Sequence, residues 1–514
     1  MKRFLKIGYL LGIILTLQSC DSGFENLNTD PDAVEKPTAA YLFSLSQLDA
    51  LNPEVFSSHI IASGGFMQHF ATYKDVPSLG DRYTWSQGGY PYAFFNTVYP
   101  HFVNEISAII RDVEDDNEEI NLLSAARIWR VLVFQKITDF YGDVPYSEAG
   151  KGHAENLYTP VYDKQSDIYE DLLNELEASI NAFDPSKDTF GSSDLLYGGD
   201  IAQWKKFAYS LMLRISMRLT KVDETMAETW AKKAIAGGVI TEDGDLARVA
   251  YVEGSSSLNF NPLAYALMSN DYSAANGTDN TEGGKYSKTF IDYLKNTHDP
   301  RLNVISIVWV NGVADTTSSV QEGMLNGLVG GSAPDNFSLL SEPNPETLLD
   351  YTSPYLVLTN SEMYLLLAEA ALRGWYAGDA GECYNKAIEA SMRHWALYNP
   401  VAGAISGSKT ETYLRTNPFP DGGTYAEKME QIHTQFWVSL FPNEMEIYAN
   451  WRRTGYPKLT PVNVEGNLTG GTIPRRLVYP PDEESLNGEN FAAAVARIDG
   501  GNVLTGRVWW DVEQ

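Results

Sequence analysis

Residues 361–394, "SEMYLLLAEAALRGWYAGDAGECYNKAIEASMRH", decide how this chain folds. Two apolar-periodic runs lie in this stretch. Tyr364, Leu367, Ala368 and Ala371 form the first, and Ala380, Tyr384 and Ala387 the second. Spacings of three and four residues place each set on one face of a helix. Small side chains stand where two helices approach closely, and large ones fill the gaps between them.

The two runs follow the tetratricopeptide pattern, in which bulky and small residues recur at fixed offsets across a helix pair. The pattern echoes elsewhere. Trp204, Phe207, Ala208 and Leu211 are followed by Ala227, Ala231 and Ala234, and Trp129 with Leu132 forms a weaker copy. Over 162–183, Ile168, Leu172, Leu176 and Ile180 recur every four residues. Over 200–221, Trp204, Phe207, Leu211, Ile215 and Leu219 do the same. Several copies at irregular spacing predict a degenerate helical-repeat scaffold. The expected fold is all-α, with tetratricopeptide-like helix pairs supporting a loop-rich lobe that carries minor β-structure. No Pro/Gly linker divides two cores, so residues 38–514 are expected to form one domain. A chain of 514 residues that is 44% apolar can build a large core.

Long Gly/Ser/Asn/Asp-rich segments separate the helical stretches: 74–92, 252–285, 311–353 and 399–424. Loops of this length are usually functional or disordered. The run Val304–Val310 reads as a strand of a small hairpin. Residues 82–95, "RYTWSQGGYPYAFF", place Tyr83, Trp85, Tyr90 and Tyr92 in a glycine-containing loop without core periodicity. Such rings either stack on sugar rings or pack against the scaffold. Tyr272 and Trp309 lie in or beside other long loops and are weaker ligand candidates. Trp129, Trp204 and Trp230 fall within helical periodicity and are expected in the core.

The chain opens "MKRFLKIGYLLGIILTLQSCDSG". Lys2, Arg3 and Lys6 precede an apolar run, Ile7–Leu17, that is too short to span a membrane. That is the layout of a secretory signal, yet it ends Leu17-Gln18-Ser19-Cys20 in place of small residues. The ending resembles the bacterial lipobox, whose cysteine thiol receives a diacylglycerol. The alternative is an ordinary signal with an incidental cysteine. On the lipobox reading residues 1–19 are a lipoprotein signal peptide, Cys20 is lipidated, and 20–37 form a tether leading to a first helix near Thr38. Asp21 and Glu25 beside the lipid resemble a surface-export signal. Removal of 1–19 takes away three basic residues and no acidic one, moving the net charge from −29 to −32. That charge argues against nucleic acid, which needs a basic face. With Cys20 acylated, Cys383 has no partner for a disulfide.

Motifs for catalysis or metal binding are lacking. No two of the seven histidines stand at i, i+4, and there is no H-E-x-x-H or C-x-x-C. "NTEGGKYS" fails as a phosphate loop because Asp279 stands where a glycine is required and Tyr286 follows Lys285. No G-x-S-x-G elbow occurs. Glu444 and Glu446, as an acid and base for glycoside hydrolysis, would not share a helix face. They are expected on a surface helix, paired with Arg452 or Arg453. Asp139, Asp143 and Glu148 in "DFYGDVPYSEA" are oxygen ligands that calcium accepts, without its dense spacing; a turn around Gly142 and Pro145 is the simpler reading. No catalytic residue, metal or cofactor is expected.

From end to end the chain resembles the SusD/RagB family of Bacteroidetes outer-membrane lipoproteins, in its SusD-like branch. The resemblance rests on Cys20, then "NLNTDPDAV", "DFYGDVPYSEA", "DIYEDLLNELEASI" and "WKKFAYSLMLRISMRL". It continues with "DPRL" at 299–302, "AEAALRGWYAGDAGECYNKAIEAS", "NEMEIYANWRRTGYP" and "IPRRLVYPPDEESLN", all in one order. It implies a lipid-anchored protein on the outer face of the outer membrane. Such a protein caps a SusC-like TonB-dependent transporter and captures oligosaccharides or peptides for import, without catalysis. It further implies that Arg452 or Arg453 is buried in ion pairs, and that ligand residues lie in variable loops. A glycan is the expected ligand and a peptide the alternative. A secreted glycosidase on a helical scaffold and a protein–protein adaptor are the readings from other classes.

Overall fold

In a computed structural model the described residues are 38–513, apart from 53, 75–77, 85–88, 270–282 and 330. Cys20 and the tether lie outside them. The first described helix, α1 (Ala39–Leu51), starts where Thr38 accepts a hydrogen bond from Tyr41 N. Four helix pairs build the scaffold. They are α4 (Ile120–Tyr141) with α5 (Gln165–Ala182), and α6 (Ile201–Arg218) with α7 (Glu224–Gly237). The others are α9 (Asn360–Leu372) with α10 (Ala380–Tyr398), and α12 (Tyr425–Ser439) with α13 (Glu444–Thr454). Between α1 and α4 run α2 (Tyr90–Val98) and α3 (Asn104–Val113). Pro262–Ser269 forms α8, and Gly407–Thr416 forms α11.

Close approach explains the alanines. Ala208, Ala227, Ala231 and Ala234 are fully buried between α6 and α7, as are Ala368 and Ala387 between α9 and α10. Ser361 Oγ on α9 donates to the Ala387 carbonyl at 2.8 Å, fixing the register of that pair. Trp129 and Trp204 are buried as their periodicity predicts, and Trp230 packs half-buried against the core.

Ion pairs inside the core fasten one helix pair to the next. Arg214 on α6 grips Glu362 on α9 through Nε and Nη2, both at 2.6 Å. Arg218 Nη2 meets Glu446 on α13 at 2.5 Å, and its Nε lies 3.4 Å from Asp139 on α4. Arg453 on α13 holds both oxygens of Glu369 on α9 at 2.8 and 2.7 Å. Arg452 donates to the Asp139 carbonyl at 2.5 Å and lies over the Tyr448 ring. The expectation of a surface helix for Glu444 and Glu446 is therefore corrected: α13 is a buried core helix. Glu444 is bound to His69 at 2.7 Å rather than to an arginine of its own helix. A helix this polar is buried with Glu444, Glu446 and Arg453 in ion pairs and Arg452 held by backbone carbonyls and a ring.

The long segments read as loops hold more structure than their composition implied. Segment 399–424 contains α11, and 252–285 contains α8. Asn261 caps α8, its Oδ1 accepting from Leu263 N at 2.9 Å, and Pro262 occupies the first helical position. Segment 311–353 contributes to a three-stranded antiparallel sheet. Its central strand β1 (Ser306–Val310) pairs with β2 (Val313–Asp315) and β3 (Glu342–Pro343). The β1–β2 hairpin turns on Asn311 and Gly312, both with positive φ of 53° and 77°, as a two-residue turn of this hand requires. Residues 82–95 do not form one loop either, because α2 begins at Tyr90 with Pro91 in its first turn. No described helix is long and apolar enough to cross a membrane.

Candidate functional site

An open cleft of about 440 Å³ lies between the C-terminal end of α1, the start of α2 and α8. Asp49 approaches it from α1, Asn52 from the residue that caps α1, Phe56 from the next segment, Tyr90 and Thr97 from α2, and Pro262 and Tyr265 from α8. Two of the bordering segments, Phe56–Gly64 and Tyr99–Val103, are wide helical turns of the π type. Such turns shift side chains out of normal helical register and recur at functional sites. The first is pressed close by its neighbour: a Cβ on Gly80 would lie 1.7 Å from the Ile61 carbonyl oxygen.

Tyr90 and Tyr265 each keep about two-fifths of their surface exposed, 42% and 40%, which leaves part of each ring for a ligand. Tyr90 is braced edge-on by Phe56 at 6.0 Å. Tyr265 stacks on Phe260 at 6.0 Å, and Phe260 on Tyr351 at 4.4 Å. Rings already packed against other rings lose little freedom when a ligand covers them. Thr97 Oγ1 donates to Glu54 Oε1 at 3.4 Å on the cleft wall. Behind it, burial and the neighbouring Asp49 carboxyl push Glu105 up to about 8. The cleft thus combines apolar faces with hydroxyl, amide and carboxyl groups. A larger opening of about 710 Å³ near α11 is lined by Asn296, Asn303, Ser408, Thr412 and Lys409; its one Phe, Tyr or Trp ring, Tyr413, is buried. Flat apolar surface for stacking therefore belongs to the first cleft.

The ring candidates read from the sequence divide. Tyr90 lines the cleft. Tyr92 is half-buried on the same helix. Tyr83 is corrected from loop platform to core residue: it has no exposed surface, its ring meets Phe66 edge-on at 6.1 Å, and its hydroxyl accepts from Val462 N at 3.3 Å. Trp309 sits half-buried on β1, its Nε1 donating to Glu342 at 2.5 Å, and does not line the cleft. Trp85 and Tyr272 lie outside the described residues. Asp139, Asp143 and Glu148 do not converge as calcium ligands. Asp139 turns inward to Arg218, Tyr169 and Trp510, Asp143 binds Arg497 and Gln165 N, and Glu148 accepts from Val161 N.

Phe56 and Tyr265 were not legible as site residues. Tyr265 stood inside a segment read as loop, although Asn261-Pro262 is a helix-start signal. Phe56 resembles any core residue until its neighbours are known.

Residues 31–480 match a SusD-like family model described as "Starch-binding associating with outer membrane". Among solved structures, a "chitin-binding protein" is 34% identical with a TM-score of 0.79, covering 93% of this chain and all of its own. A "Bacteroidetes AC2a SusD-like" structure is 25% identical with a TM-score of 0.82, over the same shares. A SusD homolog from Bacteroides ovatus is 26% identical with a TM-score of 0.75, over 92% of this chain and 99% of that one. No curated protein matches the chain.

Proposed function

The chain belongs to the SusD-like family, and from that premise we propose that it is a surface lipoprotein that captures a glycan in the aromatic cleft and passes it to a SusC-like TonB-dependent transporter. The observation that carries the reading is the pairing of half-exposed, pre-packed Tyr90 and Tyr265 in one open cleft of a family scaffold. Sugar rings present flat C–H faces that gain from desolvation against such rings, while Asp49, Asn52 and Thr97 offer hydrogen bonds to their hydroxyls. The relative at 34% identity favours a chitin-type oligosaccharide of N-acetylglucosamine. Trp85 stands five residues before Tyr90 and Tyr272 seven after Tyr265, and both are assigned here as further platforms. Function is binding, with no catalytic step.

Calorimetric titration with chitohexaose, maltohexaose and a mixed peptide library tests the ligand class. Chitohexaose is expected to bind. Stacking on Tyr265 contributes through buried apolar area at roughly 25 cal/mol per Å². Tyr265→Ala should therefore weaken binding by about 1–3 kcal/mol, or roughly 5- to 150-fold. The melting temperature should hardly move, since the ring is half exposed. Binding of peptides alone would overturn the glycan assignment.

Anchoring rests on Cys20. A thioether-linked diacylglycerol replaces a membrane helix, each buried CH₂ contributing about 0.8 kcal/mol. Cys20→Ala should abolish labelling by radioactive fatty acid and release the protein from membranes. Equal labelling of both forms would refute the lipid anchor.

A further inference from the structure

Three side chains at the cleft meet in a way that the glycan reading, which draws on Asp49 alone of them, does not explain. Asp49 comes from α1, His101 from the π-type turn Tyr99–Val103, and Glu105 from the first turn of α3. The π-type turn carrying His101 runs directly into α3, which carries Glu105. The ligand atoms of all three lie within 4.8 Å of one another. No other group of three such residues gathers this closely among the described residues.

We propose that Asp49, His101 and Glu105 bind a divalent transition-metal ion of the zinc type. Two independent features of the cluster support this. The first is the donor set. One imidazole nitrogen and two carboxylate oxygens suit zinc and its neighbours, which bond nitrogen and oxygen at about 2.0–2.2 Å. Two donors on one tetrahedral ion then stand about 3.5 Å apart. The ligand atoms already stand within 4.8 Å of one another, and His101 is exposed. Calcium is disfavoured, because it takes six to eight oxygens and no imidazole.

The second feature is an unsatisfied atom. Glu105 Oε2 is shielded from solvent yet meets no hydrogen-bond partner. Its neighbour is a second carboxyl, that of Asp49. Neither carboxyl is held in an ion pair with Lys, Arg or another His among the described residues. Two carboxyls this close resist ionising together. A cation between them relieves that repulsion and gives the shielded oxygen a partner. Three protein ligands leave at least one coordination position for water or a ligand oxygen, and Asp49 and His101 both line the cleft.

The test is zinc titration of the untagged full-length protein in detergent, against a competing chelator of known affinity. One zinc ion per chain is expected. His101→Ala and the near-isosteric Glu105→Gln should each weaken binding by roughly 100-fold or more, since even residues behind a ligand cost 10- to 100-fold. Both variants should melt at the wild-type temperature when zinc is absent. X-ray absorption of the loaded protein should show one imidazole and carboxylate oxygens. The assignment fails if no saturable 1:1 binding occurs, if either variant retains full affinity, or if calcium competes at equal concentration. None of these outcomes depends on whether chitohexaose binds, so this proposal and the glycan reading stand or fall separately.

Discussion

Glu369→Gln should destabilise the protein by about 3–5 kcal/mol, measured as the free energy of urea unfolding. Glu369 is fully buried on α9 and accepts both guanidinium nitrogens of Arg453 on α13. Arg373, one turn away, binds the same carboxylate at 2.9 Å, and His433 Nε2 lies 3.1 Å from it. A glutamine fills the same volume but leaves Arg453 charged in a core it cannot escape, and an uncompensated buried charge is the costly case. The effect has a pH signature. Burial by itself would raise the Glu369 carboxyl, but Arg453, His433 and Arg373 together outweigh it and hold the group well below the usual carboxylate range. A carboxylate depressed in the folded state contributes stability that is complete above its unfolded value, about 4.3, and is lost as pH falls through the folded value. Wild type should therefore lose stability in acid more steeply than Glu369→Gln. Parallel acid profiles, or a loss under 1 kcal/mol at neutral pH, would refute the role given to this pair.

Tyr83→Ala is expected to cost about 3–5 kcal/mol of stability, the range for emptying a large aromatic from a core. The ring is wholly enclosed against Phe66, and burial pushes its hydroxyl up to about 12. Tyr83→Phe separates the two contributions: it keeps the ring and loses one hydrogen bond, about 0.5–1.5 kcal/mol. Neither substitution should alter chitohexaose affinity in the fraction that remains folded, because Tyr83 does not line the cleft. Weakened binding by Tyr83→Phe without loss of stability would return Tyr83 to the ligand site. Set beside Tyr265→Ala, which should weaken binding and spare stability, the pair distinguishes core from platform among residues that look alike in sequence.

What the sequence determined by itself is local. The spacing of Tyr364, Leu367, Ala368 and Ala371, and of Ala227, Ala231 and Ala234, specifies helix faces, because 3.6 residues per turn is a property of neighbours along the chain. The order of motifs from "NLNTDPDAV" to "IPRRLVYPPDEESLN" is enough to point to the SusD-like family. Burial of Arg452 or Arg453 in ion pairs was implied by that resemblance, and the structure gives the pair to Arg453. Its partner was not legible, and neither were the partners of Arg214 or Arg218. The acids they meet lie 84, 148 and 228 residues away in sequence, at Glu369, Glu362 and Glu446. In a chain with 67 acidic residues no spacing rule selects among them. Tertiary structure alone decided that Tyr83 is core while Tyr90 keeps an exposed ring, although seven residues separate them. It also brought Tyr265 to Tyr90, and Asp49 to His101 and Glu105. Periodicity states which face of an element is apolar; only packing states which faces meet, and a binding site is made where they meet.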